Sequence, residues 1–230
     1  MSPDASARPA GRSDTGATRP KIGVLALQGD VREHVASLQS CGASPVPVRT
    51  PADLDGVRAL VFPGGESTTM SLLLKSSGLE PEISARLRGG LPALGTCAGM
   101  ILLAREVLDG RSDQMSFGAI DLAVRRNAFG RQVESFEAEL VVEGIPGGPM
   151  HAVFIRAPYV EAVGPTVAVL ASVCLQAGVV DGPGDQATSR SSEVRPVVCR
   201  EGCVTVAAFH PELVGDTRLH ELLLRDVQGC

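Results

Sequence analysis

The stretch Leu91-Pro-Ala-Leu-Gly-Thr-Cys97-Ala-Gly-Met-Ile-Leu-Leu-Ala104 joins a short apolar run to apolar residues at helical spacing through Gly95-x-Cys97-x-Gly99. That is the pattern of a buried strand turning sharply into a helix, with a cysteine at the tip of the turn. The glycines let the backbone bend tightly and bring neighbouring segments close. A cysteine in the first turn of a helix faces unpaired backbone N–H groups and the positive end of the helix dipole, which favours thiolate. A buried structural thiol fits the same residues, because a lone Cys in apolar surroundings usually behaves as a small hydrophobe. The motif alone leaves both readings open.

The flanking sequence decides the fold class. Lys21 to Gln28 is a nearly continuous apolar run bounded by Gly29-Asp30, as expected of a buried parallel strand. Val31 to Cys41 carries Val31, Val35 and Leu38 at helical spacing, with Gly42 as a stop. Ala43 to Arg49 reads as a strand whose prolines suit a sheet edge. A short connection at Leu54 to Val57 leads to a further apolar strand, Ala59 to Phe62, and the loop Pro63-Gly-Gly-Glu-Ser-Thr-Thr69, after which a helix starts at Met70 to Leu74. Leu91 to Gly95 is then the next strand and Ala98 to Val107 the next helix. This alternation predicts an α/β fold with a three-layer, doubly wound, mostly parallel sheet. In such sheets ligands bind beyond the carboxyl ends of the strands, where both Cys97 and the Pro63 to Thr69 loop fall. After Asp109, shorter strands at Ala119–Val124, Glu137–Val142, Val153–Ala157 and Val167–Val173 read as more antiparallel. A hairpin through Val197–Arg200 and Val204–Phe209 ends the sheet, and Thr217 to Val227 forms a closing helix. Met1 to Pro20, rich in Ser, Ala, Pro, Gly and Arg, reads as a disordered tail, and residues 21–230 as one domain. Within that domain, Gln176 to Arg195 reads as a surface insertion.

Bulk properties narrow the function classes. The 230 residues carry a formal charge of −5 with 3% aromatics and no Trp, which disfavours nucleic acid as a partner. No apolar segment approaches the roughly 20 residues needed to span a bilayer. Six cysteines without a regular repeat suit free thiols in a reducing, cytoplasmic compartment. Cys199-x3-Cys203 resembles half a zinc site, but no second pair or nearby His completes it, so no metal is expected.

A nucleophilic Cys97 needs a base. Of the four histidines, His34 and His220 sit in amphipathic helical patterns where a solvated face is the default, and His151 lies in a Gly-Pro-rich turn. His210 directly follows an apolar strand, in Phe209-His-Pro-Glu212. Residues i and i+2 of an extended segment project to one side, so Glu212 can hold one imidazole nitrogen while the other faces Cys97. A strand-ending turn with a cap-like Glu fits the same four residues taken by themselves.

Together, Gly95-Thr-Cys97-Ala-Gly99 and Phe209-His-Pro-Glu212 resemble class I, triad-type glutamine amidotransferases, whose fold is flavodoxin-like. Narrower motifs are Leu27-Gln-Gly with Val31-Arg-Glu-His34, Pro63-Gly-Gly-Glu-Ser-Thr-Thr-Met70, Arg126-Asn-x-Phe-Gly-Arg-Gln132 with Ser135-Phe-Glu137, and Phe154-Ile-Arg-Ala-Pro158. These are similar to the glutaminase subunit of the pyridoxal 5′-phosphate synthase that does not use deoxyxylulose phosphate, over about residues 21–227. The resemblance implies that Cys97 attacks the side-chain amide of L-glutamine, that His210 protonates the leaving ammonia and that Glu212 orients His210. It places glutamine contacts at Gly65, Glu66, Ser67, Arg126, Ile155 and Arg156, and an oxyanion hole at the N–H groups of Gly65 and Ala98. It implies no cofactor. As partner it implies a (β/α)8-barrel synthase subunit that activates the glutaminase and receives the ammonia. An amidotransferase subunit for another acceptor, and a silent regulatory subunit, remain as alternatives. Arg125 beside Arg126 offers a competing assignment for the substrate arginine.

Overall fold

The apolar runs become the centre of the molecule because they are covered on both sides. The computed structural model describes residues 19–111, 113–126, 135–176 and 192–229; most of the expected tail, the centre of the expected insertion and the motif residues 127–134 lie outside them. The first half follows the order β1 (Lys21–Leu25), α1 (Val31–Ser40), β2 (Ser44–Val48), β3 (Ala59–Phe62), α2 (Ser67–Ser77), α3 (Leu79–Arg88), β4 (Ala93–Thr96) and α4 (Ala98–Leu103). The second half continues with β5 (Ala104–Val107), β6 (Ile120–Arg125), β7 (Ser135–Leu140), β8 (Met150–Ile155), β9 (Tyr159–Val163), β10 (Ala168–Gln176), β11 (Ser192–Glu201), β12 (Val204–Ala207) and α5 (Arg218–Gly229).

A seven-stranded sheet runs in the order β10-β11-β12-β4-β3-β1-β2. From β12 to β2 all pairings are parallel, whereas β10, β11 and β12 pair antiparallel. Every residue of β3, β4 and β12 is buried, as a parallel strand under helices on both faces requires. Thr96 and Gly95 locate the two layers of helices. The Thr96 hydroxyl meets His34 of α1, whereas a side chain at Gly95 would strike Gly99 and Leu103 of α4. Neighbouring strand residues point to opposite faces, so α1 lies on one side of the sheet and α4 on the other. α5 packs with α1, and α2 and α3 pack on the side of α4. The edge expected from the prolines is β2, where Pro45 and Pro47 pair with Ile22 and Val24 of β1 on one side only. Phe62, Phe154 and Phe209 are fully buried, each contributing about 2–3 kcal/mol by burial of apolar surface.

Several expected boundaries shift. The helix expected over Ala98–Val107 stops at Leu103, because Ala104 adopts an extended backbone (φ −59°, ψ 155°) and opens β5, which pairs with β6. Ala104 is buried, Arg105 and Glu106 are exposed and Val107 is half-buried, so the segment leaves the core directly after Ala104. β5, β6 and β9 form a small separate sheet, and β7 and β8 form an antiparallel hairpin. The segment read as a surface insertion contributes strand at both ends, since β10 reaches Gln176 and β11 begins at Ser192. Cys203, expected as a free thiol, is disulfide-bonded. Cys41, Cys97, Cys174 and Cys199 are free.

Candidate active site

Four parallel strands deliver their carboxyl ends to one place. β4 ends at the elbow, where Cys97 has φ 49° and ψ −105° and is 7% exposed. Such a backbone costs a non-glycine residue about 1–3 kcal/mol and persists only where its surroundings hold it. Here the Cys97 amide donates to the Ala207 carbonyl of β12 at 2.8 Å, and the Cys97 carbonyl accepts from Met100 at 3.0 Å. Both glycines of the motif are needed for contact. A Cβ on Gly99 would lie 2.0 Å from the Phe62 carbonyl oxygen, and one on Gly95 would lie 2.7 Å from the Gly99 backbone.

β12 leads to His210, whose amide donates to the Val153 carbonyl of β8 at 3.1 Å. A short 3-10 turn, Pro211–Val214, follows and folds Glu212 back beneath the imidazole. Nδ1 of His210 lies 2.8 Å from Oε1 of Glu212 and 3.3 Å from Oδ2 of Asp30. Asp30 occupies the N-cap position of α1, where such a side chain ordinarily accepts from the helix's first amides, yet it makes no cap hydrogen bond. Burial works against an imidazolium at His210, but hydrogen bonds with Asp30, Cys97 and Glu212 outweigh it and push its pKa up to about 12. Burial raises the Glu212 pKa despite the opposing pull of His210, and the His210 hydrogen bond lowers that of Asp30. Gly64 touches the ring so closely that a Cβ there would sit 2.2 Å from its Cε1. Asp30, His210 and Glu212 offer three ligand-type atoms within 4.8 Å of one another. His210 Nδ1 is already engaged with both carboxylates, so the cluster reads as a hydrogen-bonded base with its anions.

A cavity of about 380 Å3 opens over Cys97 and is lined by Gln28, Asp30, Gly65, Glu66, Ser67, Ala98, Ile101, Arg126, Ile155, Arg156, His210 and Leu213. All nine residues expected from the sequence to be catalytic or to contact glutamine are therefore here or, in the case of Glu212, directly behind His210. Ala98 opens α4, where a helix supplies no carbonyl for its N–H. The Gly64 carbonyl is packed against Gly29, leaving the Gly65 N–H on the opposite side of that trans peptide. The Ile155 carbonyl lies 4.0 Å from the Cys97 sulfur, and Arg156 follows it with a positive φ of 45°. Of the adjacent arginines, Arg126 enters the cavity and reaches Glu66 at 3.1 Å, while Arg125 pairs with Glu161.

Glu66 caps α2. It accepts from Thr69 N at 2.6 Å, Thr68 N at 3.1 Å and the Thr69 hydroxyl at 2.8 Å. Burial favours its neutral form, but these donors dominate and draw its pKa down to about 2. The stabilisation is therefore complete above the ordinary value of 4.5 and is lost as pH falls towards 2. Glu66→Gln is expected to lower Tm by a few degrees near pH 7, in line with a cap worth about 1 kcal/mol. Thermal melts at stepped pH check this, and the gap between variant and wild type should narrow below pH 4.5.

Comparison with known proteins bears on this arrangement directly. The model of the SNO glutamine amidotransferase family matches residues 24–229. The chain belongs to that family. Among its relatives is the pyridoxal 5′-phosphate synthase subunit PdxT of Rhodococcus jostii (strain RHA1), 56% identical over 212 residues that cover 92% of this chain and 99% of that protein. The protein of the same name from Rhodococcus opacus (strain B4) is 55% identical over the same shares. A crystal structure of a glutamine amidotransferase, 43% identical, superposes with a TM-score of 0.76 over 90% of this chain and 98% of that one. The α/β architecture with a mostly parallel sheet and antiparallel strands towards the C-terminus is thus that of the glutamine amidotransferases.

Gln28 and Asp30 also line the cavity, although the sequence assigned neither of them a role there. Gln28 accepts from the Glu66 amide at 2.7 Å and so links the Leu27-Gln-Gly motif to the cavity loop. His34 and His220, expected on solvated helix faces, are both fully buried. Each lies on the apolar stripe of its helix and faces the other beneath the triad, at an Nδ1–Nε2 distance of 2.9 Å. His151, expected in a turn, stands in β8 between Glu137 and Glu139, away from the cavity.

Proposed function

We propose that this chain hydrolyses L-glutamine to L-glutamate and ammonia as the glutaminase subunit of a pyridoxal 5′-phosphate synthase. The observation that carries the proposal is a buried cysteine at a strained elbow beside a Glu-held imidazole, in a cavity that also presents a paired Glu66 and Arg126. A free amino acid brings an α-carboxylate and an α-ammonium. Arg126 suits the first, and Glu66 with the Ile155 carbonyl suits the second. Gly65, Ser67 and Arg156 complete the cradle.

In this reading the Cys97 sulfur attacks the glutamine amide carbon, and the oxygen takes negative charge facing the N–H groups of Ala98 and Gly65. His210 gives its proton to the nitrogen, the carbon–nitrogen bond breaks and ammonia leaves. Water, deprotonated by His210, then adds to the γ-glutamyl thioester; the carbon–sulfur bond breaks, glutamate departs, and the proton returns to the Cys97–His210 pair. Glu212 keeps the Nδ1 proton of His210 in place throughout.

Ammonia passes to a (β/α)8-barrel synthase subunit seated over the cavity mouth. The names of the PdxT relatives support a partner, and the exposure of the cavity-lining Ile155 and Leu213 supports its seat at the opening. Residues 21–230 act as one amidotransferase domain in the cytoplasm; among the described residues no helix is long and apolar enough to cross a membrane. Glutamate release, measured with and without the synthase subunit, tests the assignment. The expected result is slow turnover alone and a clear rise with the partner. An equal rate in both would remove the activating role.

A further inference from the structure

The motif Val31-Arg-Glu-His34 contributes no residue to the cavity, yet His34 is buried directly behind the triad. Its Nε2 lies 3.5 Å from Oε1 of Glu212 and 3.1 Å from the Thr96 hydroxyl, and its Nδ1 lies 2.9 Å from Nε2 of His220. The set is dry: His34, His220 and Thr96 are 0% exposed, and Glu212 is 5% exposed. α1, β4, α5 and the turn after β12 each bring one member. Resting on the triad reading above, we infer that His34, held by His220, is a positioning residue that donates its Nε2–H towards Glu212 and fixes that carboxylate against His210.

The proton inventory supports one arrangement. One hydrogen must lie between His34 Nδ1 and His220 Nε2, because two lone pairs or two N–H groups at 2.9 Å repel. If it sat on His34, the Thr96 hydroxyl at 3.1 Å could still donate to that ring's Nε2, but a lone pair would also face the Glu212 carboxylate at 3.5 Å and His220 Nδ1 would carry a buried N–H without a hydrogen-bond partner. The proton therefore belongs to His220, and His34 carries its own on Nε2. His220 Nδ1 is then an acceptor, and it is a buried nitrogen without a hydrogen-bond partner; an unpaired acceptor is tolerated more readily than an unpaired N–H. Burial, together with the nearby histidines in the case of His34, holds both rings neutral: His34 is driven well below its ordinary value and His220 to about 4. The donors therefore cannot be exchanged for charge near neutral pH.

Glu212 needs this support because it is buried and its second oxygen lacks a hydrogen-bond partner. The ionisable groups facing it are His210 after β12, His34 from α1 and Asp30 before α1, which opposes its ionisation; Asp216 acts on His220 behind them. Removing the His34 donor would favour protonation of Glu212 and so weaken its hold on His210.

A matched pair of variants tests this in the glutaminase–synthase complex. The His34→Asn amide ends near the Nδ1 position and retains only the His220 side, whereas the His34→Gln amide reaches the Nε2 position. His34→Asn should lower kcat by about 10-fold with KM little changed, as expected for losing an N–H that faces a buried carboxylate at 3.5 Å. The acid limb of its pH–rate profile should move upward, and His34→Gln should recover most of the rate. An unmoved acid limb with wild-type kcat in His34→Asn, or equal losses in both variants, would overturn the inference. Cys97→Ala in the same series separates the two levels: if it retains activity, the triad reading itself fails. Nitrogen NMR of the wild-type histidines needs no variant. It should show His34 neutral with the proton on Nε2 from pH 6 to 8, and an Nδ1–H tautomer would refute the assignment.

Discussion

Cys97→Ala should reduce glutamate release in the complex by at least about 10^4-fold, because removing a nucleophile leaves only binding and oxyanion stabilisation to act. The fold should survive, since alanine adopts the same small volume at a site that is already 7% exposed. Relief of the elbow's positive φ is not expected, because the Ala207 carbonyl and the Gly95 and Gly99 contacts hold the backbone regardless of the side chain. The complex should still accept added ammonium in place of glutamine. This separates loss of the nucleophile from loss of the partner, and steady-state assays with each nitrogen source distinguish them.

Glu212→Gln should cost about 10^3- to 10^4-fold in kcat with thermal stability largely kept. The carboxylate accepts from His210 Nδ1 at 2.8 Å and is the only group of the set below the ring that can carry a full negative charge in the buried space. An amide can rotate its NH2 towards Nδ1 and stabilise the wrong tautomer, leaving Nε2 protonated and unable to take a proton. Asp30, 3.3 Å from the same nitrogen, retains part of the charge and should make this loss smaller than that of Cys97→Ala. Comparing kcat and KM separately checks the point, because tautomer loss acts on kcat.

Much of this was legible in the sequence, for physical reasons. β1, β3 and β4 are apolar on both faces, so their runs stand out, and the strand-to-helix turn at Cys97 announces itself through paired glycines. His210 and Glu212 were readable because an i, i+2 relation in an extended segment is local. The buried His34–His220 contact was not, because it joins residues 186 apart and a polar residue on an apolar stripe looks like a solvated face. Asp30 was hidden for a similar reason: an aspartate before a helix reads as its cap, and only the tertiary fold turns it to His210. β5 was missed because Ala98 to Val107 has helical spacing throughout, and the pairing with β6 that ends the helix comes from elsewhere in the chain.

Covalent trapping tests the central claim most directly. The complex is incubated with a glutamine analogue carrying an electrophilic diazoketone in place of the amide, then digested for peptide mass spectrometry. The account predicts one adduct per chain, on Cys97 alone, suppressed by excess glutamine and formed in step with loss of glutamate release. Full inactivation with Cys97 unmodified, or labelling of Cys97 that leaves glutamate release intact, would contradict it.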